Sequence, residues 1–161
     1  GLRLLVREQG RVAPGGTGWA KAAANYAGGI LIADQAKKLG FTDVLYLDAR
    51  HVRYLTETSG SNLFCVLRDG TLVTPPLDDQ ILPGVTRSVV VDLAARLAMT
   101  IEERVFTVAE AYAATEAFLT SASNLVMPVT RIDGKPVGDG KPGQFSLKLR
   151  DAFLTAAEQS C

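Results

Sequence analysis

Short apolar runs separated by turn residues fill most of the chain, and only three long stretches carry helical spacing. The runs are Gly1 to Val12, Asp43 to Asp48, Val52 to Leu55, Asn62 to Leu67, Thr71 to Val73, Thr100 to Phe106, Ala117 to Ser121 and Leu125 to Ile132. Arg68-Asp69-Gly70 and Asp133-Gly134 supply turns, and Pro75-Pro76 ends a run. The helical stretches are Asn25 to Leu39, stopped by Gly40, then Thr86 to Leu97, and Gly143 to about Ala157. Thr107-Val108-Ala109-Glu110 reads as a capping box for a fourth, short helix. Many strands, a few long helices and no regular alternation between them predict an α+β fold. Its frame is a mostly antiparallel sheet or barrel flanked by helices.

At 161 residues the chain is long enough for one domain with a real core. Seventeen basic residues balance seventeen acidic ones, and no basic stripe marks a nucleic-acid or anionic-membrane partner. No apolar run approaches the ~20 residues that span a bilayer. The opening Gly1-Leu2-Arg3-Leu4-Leu5-Val6-Arg7 reads as a strand rather than a secretory signal. Cys65 lies in an apolar run and Cys161 ends the chain, which suggests neither a disulfide framework nor a metal pattern. The single histidine, His51, sits in a charged turn with no obvious partner, so a catalytic triad or histidine-bound zinc is not expected. After the first strand comes Ala13-Pro14-Gly15-Gly16-Thr17-Gly18. Such a segment either joins two domains or is a surface loop. The first reading makes residues 1–18 a strand and inter-domain linker, residues 19–161 a cofactor-binding C-terminal domain, and places a further domain upstream.

Four stretches carry groups with chemical potential. Lys21 lies among small, apolar neighbours in Gly18-Trp19-Ala20-Lys21-Ala22-Ala23-Ala24-Asn25-Tyr26. It is either a surface cation or an amine whose pKa desolvation lowers, freeing it as nucleophile or base. Tyr26 is either a core aromatic or a phenol beside a ligand oxygen. Glu57, in Thr56-Glu57-Thr58-Ser59-Gly60-Ser61-Asn62 between apolar strands, either caps a turn or pairs with a buried cation. Leu82-Pro83-Gly84-Val85-Thr86-Arg87 is a helix start, where free N–H groups and the helix dipole suit a phosphate. Leu119-Thr120-Ser121-Ala122-Ser123-Asn124 ends a strand with consecutive hydroxyls and small residues, and is either an ordinary strand end or a second phosphate contact. An amine, a carboxylate, a phenol and two anion-friendly loops together match the needs of a pyridoxal phosphate site.

In sequence order, these stretches resemble the C-terminal domain of the fold-type IV pyridoxal phosphate enzymes, which include branched-chain and D-amino-acid aminotransferases and aminodeoxychorismate lyase. The matching pieces include Lys21 with Asn25-Tyr26, Glu57 with Asn62-Leu63-Phe64, Leu82 to Arg87, Glu116 to Ser123, Ile132-Asp133-Gly134 and Gly138 to Gly143. The resemblance implies the D-amino-acid aminotransferase-like fold and pyridoxal 5'-phosphate as cofactor. It makes Lys21 the Schiff-base lysine and proton shuttle, Glu57 the partner of the pyridine nitrogen, and Tyr26 a donor to the ring's phenolic oxygen.

By the same resemblance, Val85 and Thr86 hold the phosphate, and Ser61, Asn62, Leu82, Gly84, Ser121, Ala122 and Ser123 complete the cofactor site. Family members often carry threonine where this chain has Ala122, which moves that contact to Ser121 or Ser123, and glycine is frequent where it has Thr58. The implied activity is transfer of an amino group between a branched-chain amino acid and 2-oxoglutarate. D-amino-acid transamination, the lyase reaction and a fragment inactive without its N-terminal domain are the alternatives. The implied enzyme is a cytoplasmic homodimer that takes amino acid and 2-oxo acid substrates. An N-terminal domain supplies a phosphate-binding arginine and much of the substrate pocket.

Overall fold

Six strands close on themselves, and the apolar runs are nearly continuous because both of their faces are covered. A computed structural model describes residues 1–158. In chain order the strands are β1 (Leu2–Arg7), β2 (Asp43–Leu47), β3 (Leu55–Thr58), β4 (Asn62–Val66), β5 (Leu72–Thr74), β6 (Ile101–Glu103), β7 (Glu116–Ser121), β8 (Leu125–Ile132) and β9 (Lys135–Pro136). The helices are α1 (Ala24–Ala27), α2 (Ile30–Lys38), α3 (Val85–Arg96), α4 (Val108–Ala113) and α5 (Gln144–Glu158). The ring runs β3-β2-β1-β8-β7-β4 and is shut by a β3–β4 pairing at Glu57 and Asn62. β1 is parallel to both β2 and β8, while the remaining ring pairings are antiparallel. The α+β barrel expected from the sequence is therefore present.

Side chains alternate across each ring strand, as the two-residue period of a strand requires. Leu45 and Leu47 of β2 and Leu63 and Cys65 of β4 join one cluster with Leu4, Leu119 and Ile132. Their neighbours face the other way. Phe64 and Val66 pack with Phe118, Val90 of α3 and Leu149 of α5, and the Phe64 and Phe118 rings stack at 5.0 Å. Val44 and Tyr46 pack against Ala36 of α2.

Several expected boundaries shift for identifiable reasons. The first strand stops at Arg7 rather than Val12. The helix expected over Asn25 to Leu39 is interrupted at Gly28-Gly29. There Gly29 N–H bonds Tyr26 O three residues back, and a Cβ on Gly29 would sit 3.1 Å from the Tyr46 hydroxyl. The expected strand at Val52 is a turn, with Val52 at φ 51°. Asp48 organises it. Its carboxylate accepts from the backbone N–H of His51, Arg53 and Tyr54 at 2.7, 3.0 and 2.8 Å and meets His51 Nδ1 at 3.0 Å. His51 thus has a partner that the sequence did not reveal. Of Thr100 to Phe106, only Ile101–Glu103 is strand. The capping box at Thr107 and Glu110 forms as read. Asp133-Gly134 turns with both φ values positive, as a two-residue hairpin demands. Cys65 is buried and free, and Cys161 lies outside the described residues.

Burial of Asp48 opposes its ionisation, but the three N–H donors and His51 outweigh that and hold the carboxyl down at about 2. A folded-state pKa below the ordinary 3.8 means the stabilisation is fully present above that value and is lost as pH falls toward about 2. Asp48→Ala leaves the donors unpaired and should cost about 2–3 kcal/mol at neutral pH. A denaturant melt reads the cost, and the gap between variant and wild type should narrow below pH 3.8.

Candidate active site

Barrel closure puts Glu57 and Asn62 side by side, and the rest of the site is assembled around that junction. Glu57 is only 4% exposed. Its Oε1 lies 2.5 Å from an Arg11 guanidinium nitrogen, its Oε2 accepts from Asn62 Nδ2 at 3.0 Å, and Leu82 N–H donates to both oxygens at 3.3 Å. Burial pushes the carboxyl up to about 7, with Arg11 and the Leu82 N–H pulling in the opposite direction. Of the two readings of Glu57, the pairing with a buried cation is the one present.

Arg11 is that cation, and sequence reasoning passed over it. It also donates to the carbonyls of Gly18 at 3.2 Å, Gln80 at 3.3 Å and Asn25 at 3.4 Å, so it ties the glycine-rich segment to the barrel. The available signal was an arginine beside Gly10, directly before a segment with few other side chains to pack.

Lys21 lies between that segment and α1. Asn25 shapes the loop around it by donating to the carbonyls of Thr17 at 2.6 Å and Ala20 at 2.8 Å. The small neighbours do not bury the amine: Lys21 is exposed, so the desolvation expected from its setting is not met within this chain. Lys21 Nζ lies 5.3 Å from the centroid of the Tyr26 ring.

Lys21 lines a cleft of ≈ 380 Å³ together with Trp19, Asn62, Leu82, Gly84, Val85, Thr86, Thr120, Ser121 and Ala122. A smaller crevice beside it takes in Tyr26, Glu57, Ser61, Asn62 and Leu82. One end of the cleft is the start of α3. Gly84 is its N-cap and contributes no side-chain hydrogen bond, so the first N–H groups of α3 have no partner within the helix. A Cβ on Gly84 would collide with Asn62 Oδ1, so glycine is required for this close approach. Thr86 is buried in the first turn of α3, not at the cap.

At the end of β7 the structure redistributes the expected hydroxyls. Ser121 and Ala122 line the cleft, while Ser123 is exposed and bonds within its own turn, 3.4 Å from Ser121 Oγ and 3.2 Å from Asn124 Nδ2. Thr120 was not expected to contribute. Its hydroxyl is buried, lines the cleft and has no hydrogen-bond partner among the described residues. The signal for it was a hydroxyl directly following the apolar Ala117-Phe118-Leu119 of β7, beside Ser121.

Residues 7–132 match the family described as amino-transferase class IV. The chain belongs to the class IV aminotransferases. It is 39% identical to the branched-chain-amino-acid aminotransferase of Mycolicibacterium smegmatis over 92% of its length and 44% of that protein's. It is 34% identical to the enzyme of the same name from Escherichia coli strain K12, over 96% of the chain and 49% of that protein. Among solved structures, the Escherichia coli branched-chain amino acid aminotransferase superposes with a TM-score of 0.89 at 33% identity, covering 96% of this chain and 51% of that one. The branched-chain amino acid aminotransferase of Thermobaculum terrenum, solved in its PLP-bound holo form, also gives 0.89, at 31% identity, covering 96% and 50%. The chain therefore spans about half the length of the relatives it matches.

Proposed function

We propose that the protein holds pyridoxal 5'-phosphate in the Lys21 cleft and exchanges amino groups between branched-chain amino acids and 2-oxoglutarate. The observation that carries this reading is the buried Glu57–Arg11 pair, set beside a cleft with Lys21 on one side and an uncapped helix start on the other. The relatives' names supply the branched-chain preference.

The residues present suit that cofactor. A buried carboxylate can balance a protonated ring nitrogen, free N–H groups at a helix start suit a phosphate, and the unpartnered Thr120 hydroxyl offers a further donor. When bound, the cofactor supplies an electron sink for the charge left as a substrate Cα–H bond breaks. Lys21 contributes the amine for covalent attachment and carries the proton at that carbon. Glu57 keeps the ring nitrogen protonated, and Arg11, Asn62 and Leu82 N–H hold the carboxylate in place. Tyr26 donates to the phenolic oxygen. Val85 and Thr86 would hold the phosphate through their N–H groups and the Thr86 hydroxyl, with Ser121 lining the same cleft.

An N-terminal domain before residues 1–18 completes the substrate pocket, residues 19–161 are the cofactor-binding domain, and the working unit is a cytoplasmic homodimer. Turnover of leucine, isoleucine or valine with 2-oxoglutarate, followed as the branched 2-oxo acid, tests the whole reading. Activity confined to D-amino acids, or pyruvate release from aminodeoxychorismate, would replace it.

Thr86→Ala should weaken cofactor affinity by about 1–2 kcal/mol, the size of one charge-assisted hydrogen bond. Gly84 is the cap, so this substitution leaves the cap intact and the apo melting temperature should change less than the affinity. Equal losses with and without cofactor would make Thr86 a packing residue.

A further inference from the structure

A second cavity shares Arg11 with the Glu57 ion pair and Tyr26 and Ser59 with the crevice beside the Lys21 cleft, and it gathers polar groups that the proposed reaction does not use. It measures ≈ 170 Å³ and is bounded by Arg11, Tyr26, Gly29, Ala33, Tyr46 and Ser59. Three of the five buried side-chain polar atoms without a hydrogen-bond partner among the described residues belong to its lining: Arg11 Nε, Tyr46 Oη and Ser59 Oγ. Their concentration in one place needs a physical reason, because a buried polar group left unpaired costs about 1–3 kcal/mol.

The three atoms are chemically complementary to one occupant. Arg Nε–H can only donate, whereas the phenol and the serine hydroxyl can each accept or donate. A water molecule has the chemistry to accept from the guanidinium and donate to the two hydroxyls, since buried waters typically make about three hydrogen bonds. The cavity exceeds the ~10–15 Å³ that one water needs. Gly29 keeps the phenol in position, since a Cβ there would press on Tyr46 Oη at 3.1 Å.

We propose that this cavity is a structural water site through which Tyr46 and Ser59 hold Arg11 in register with Glu57. Arg11 spends its remaining nitrogens on Glu57 and on the carbonyls of Gly18, Asn25 and Gln80. Nε is the last of its nitrogens without a partner, and anchoring it helps fix the plane of the guanidinium. Tyr46 and Ser59 are positioning residues: they act on Glu57 only through Arg11. The inference concerns this chain's own ion pair and goes beyond the reaction proposed above, so it can fail while that reading stands.

The charged groups bearing on Glu57 are Arg11, which favours its ionised form, and Asp78, which opposes it. The Ser59 hydroxyl stands near enough to Tyr46 to favour its ionised form, and Asp43, Arg11 and Arg7 also bear on it, although neither hydroxyl makes a well-formed hydrogen bond. None of these charges changes in Ser59→Ala or Tyr46→Phe. The test has two arms on the full-length protein. A high-resolution crystal structure should show a water within hydrogen-bond distance of Arg11 Nε and at least one hydroxyl. A dry cavity overturns the proposal. In the cofactor-free protein, the Glu57 carboxyl is titrated by infrared difference spectroscopy, its band assigned by subtracting Glu57→Gln. Ser59→Ala and Tyr46→Phe should raise the Glu57 midpoint by about half a pH unit or more as Arg11 loosens, and Ser59→Thr should restore it. A midpoint unchanged in both variants, whatever happens to their melting temperatures, shows that the hydroxyls only pack. A failure of the cofactor reading would instead appear as normal turnover in Glu57→Gln, with this titration unaffected.

Discussion

Lys21→Ala should lose turnover by about 10²–10⁴-fold from the missing proton transfer alone, with a further loss from covalent attachment. The fold should barely register the change. Lys21 is exposed, and surface substitutions away from special features usually stay within ~0.5 kcal/mol. The combination of a collapsed rate and an unchanged melting temperature separates a chemical role from a structural one. Borohydride reduction of the cofactor-loaded protein, followed by peptide mapping, should place the pyridoxyl label on Lys21. A label on Lys37, Lys38 or Lys141, or a variant within tenfold of wild-type activity, would sink the assignment.

Glu57→Gln should slow amine transfer by about 10²-fold or more while leaving the covalent link to Lys21 intact, because a neutral amide cannot balance a protonated ring nitrogen. This substitution also touches the fold. Arg11 is 4% exposed at its side chain and would lose its counter-charge, although the amide oxygen can still accept from it. Full truncation to alanine should cost about 3–5 kcal/mol, the usual penalty for removing one partner of a buried ion pair. Gln should cost less. Measuring turnover and the apo melting temperature on both variants distinguishes the roles. If Gln gives near wild-type turnover and only Ala unfolds the protein, Glu57 is a barrel-closing residue and nothing more.

The two residues also show how far a sequence can be read. Lys21, Tyr26, Glu57 and the Leu82 to Thr86 turn were each identifiable as ligand-competent, because chemistry-bearing side chains stand out in segments that are otherwise small or apolar. The strands of the barrel were legible for a similar local reason. Continuous runs such as Asn62 to Leu67 can be buried only if both faces are covered, and here they are, by the barrel interior and by α3 and α5. The capping box at Thr107 and the hairpin turn at Asp133-Gly134 are short-range hydrogen-bond and backbone devices, and both formed where the residues stood.

What lay beyond the sequence depended on distance along the chain. Glu57 meets Arg11 across 46 positions, and no local pattern announces a partner that far away. The helix breaks at Gly28-Gly29, where Gly29 leaves room for the Tyr46 hydroxyl of another element, a contact that helical periodicity through Leu39 could not reveal. Thr120 gained its importance only when β7 closed against β4 and brought its hydroxyl to the cleft of Asn62 and Gly84. Asp48 likewise turned an apparent strand into a loop by collecting three N–H donors on one carboxylate. Residue chemistry and local periodicity were therefore set by the sequence itself. Which charges are buried together, and which hydroxyls face the cleft, followed from closure of the barrel, because closure alone brings distant strands within hydrogen-bond range.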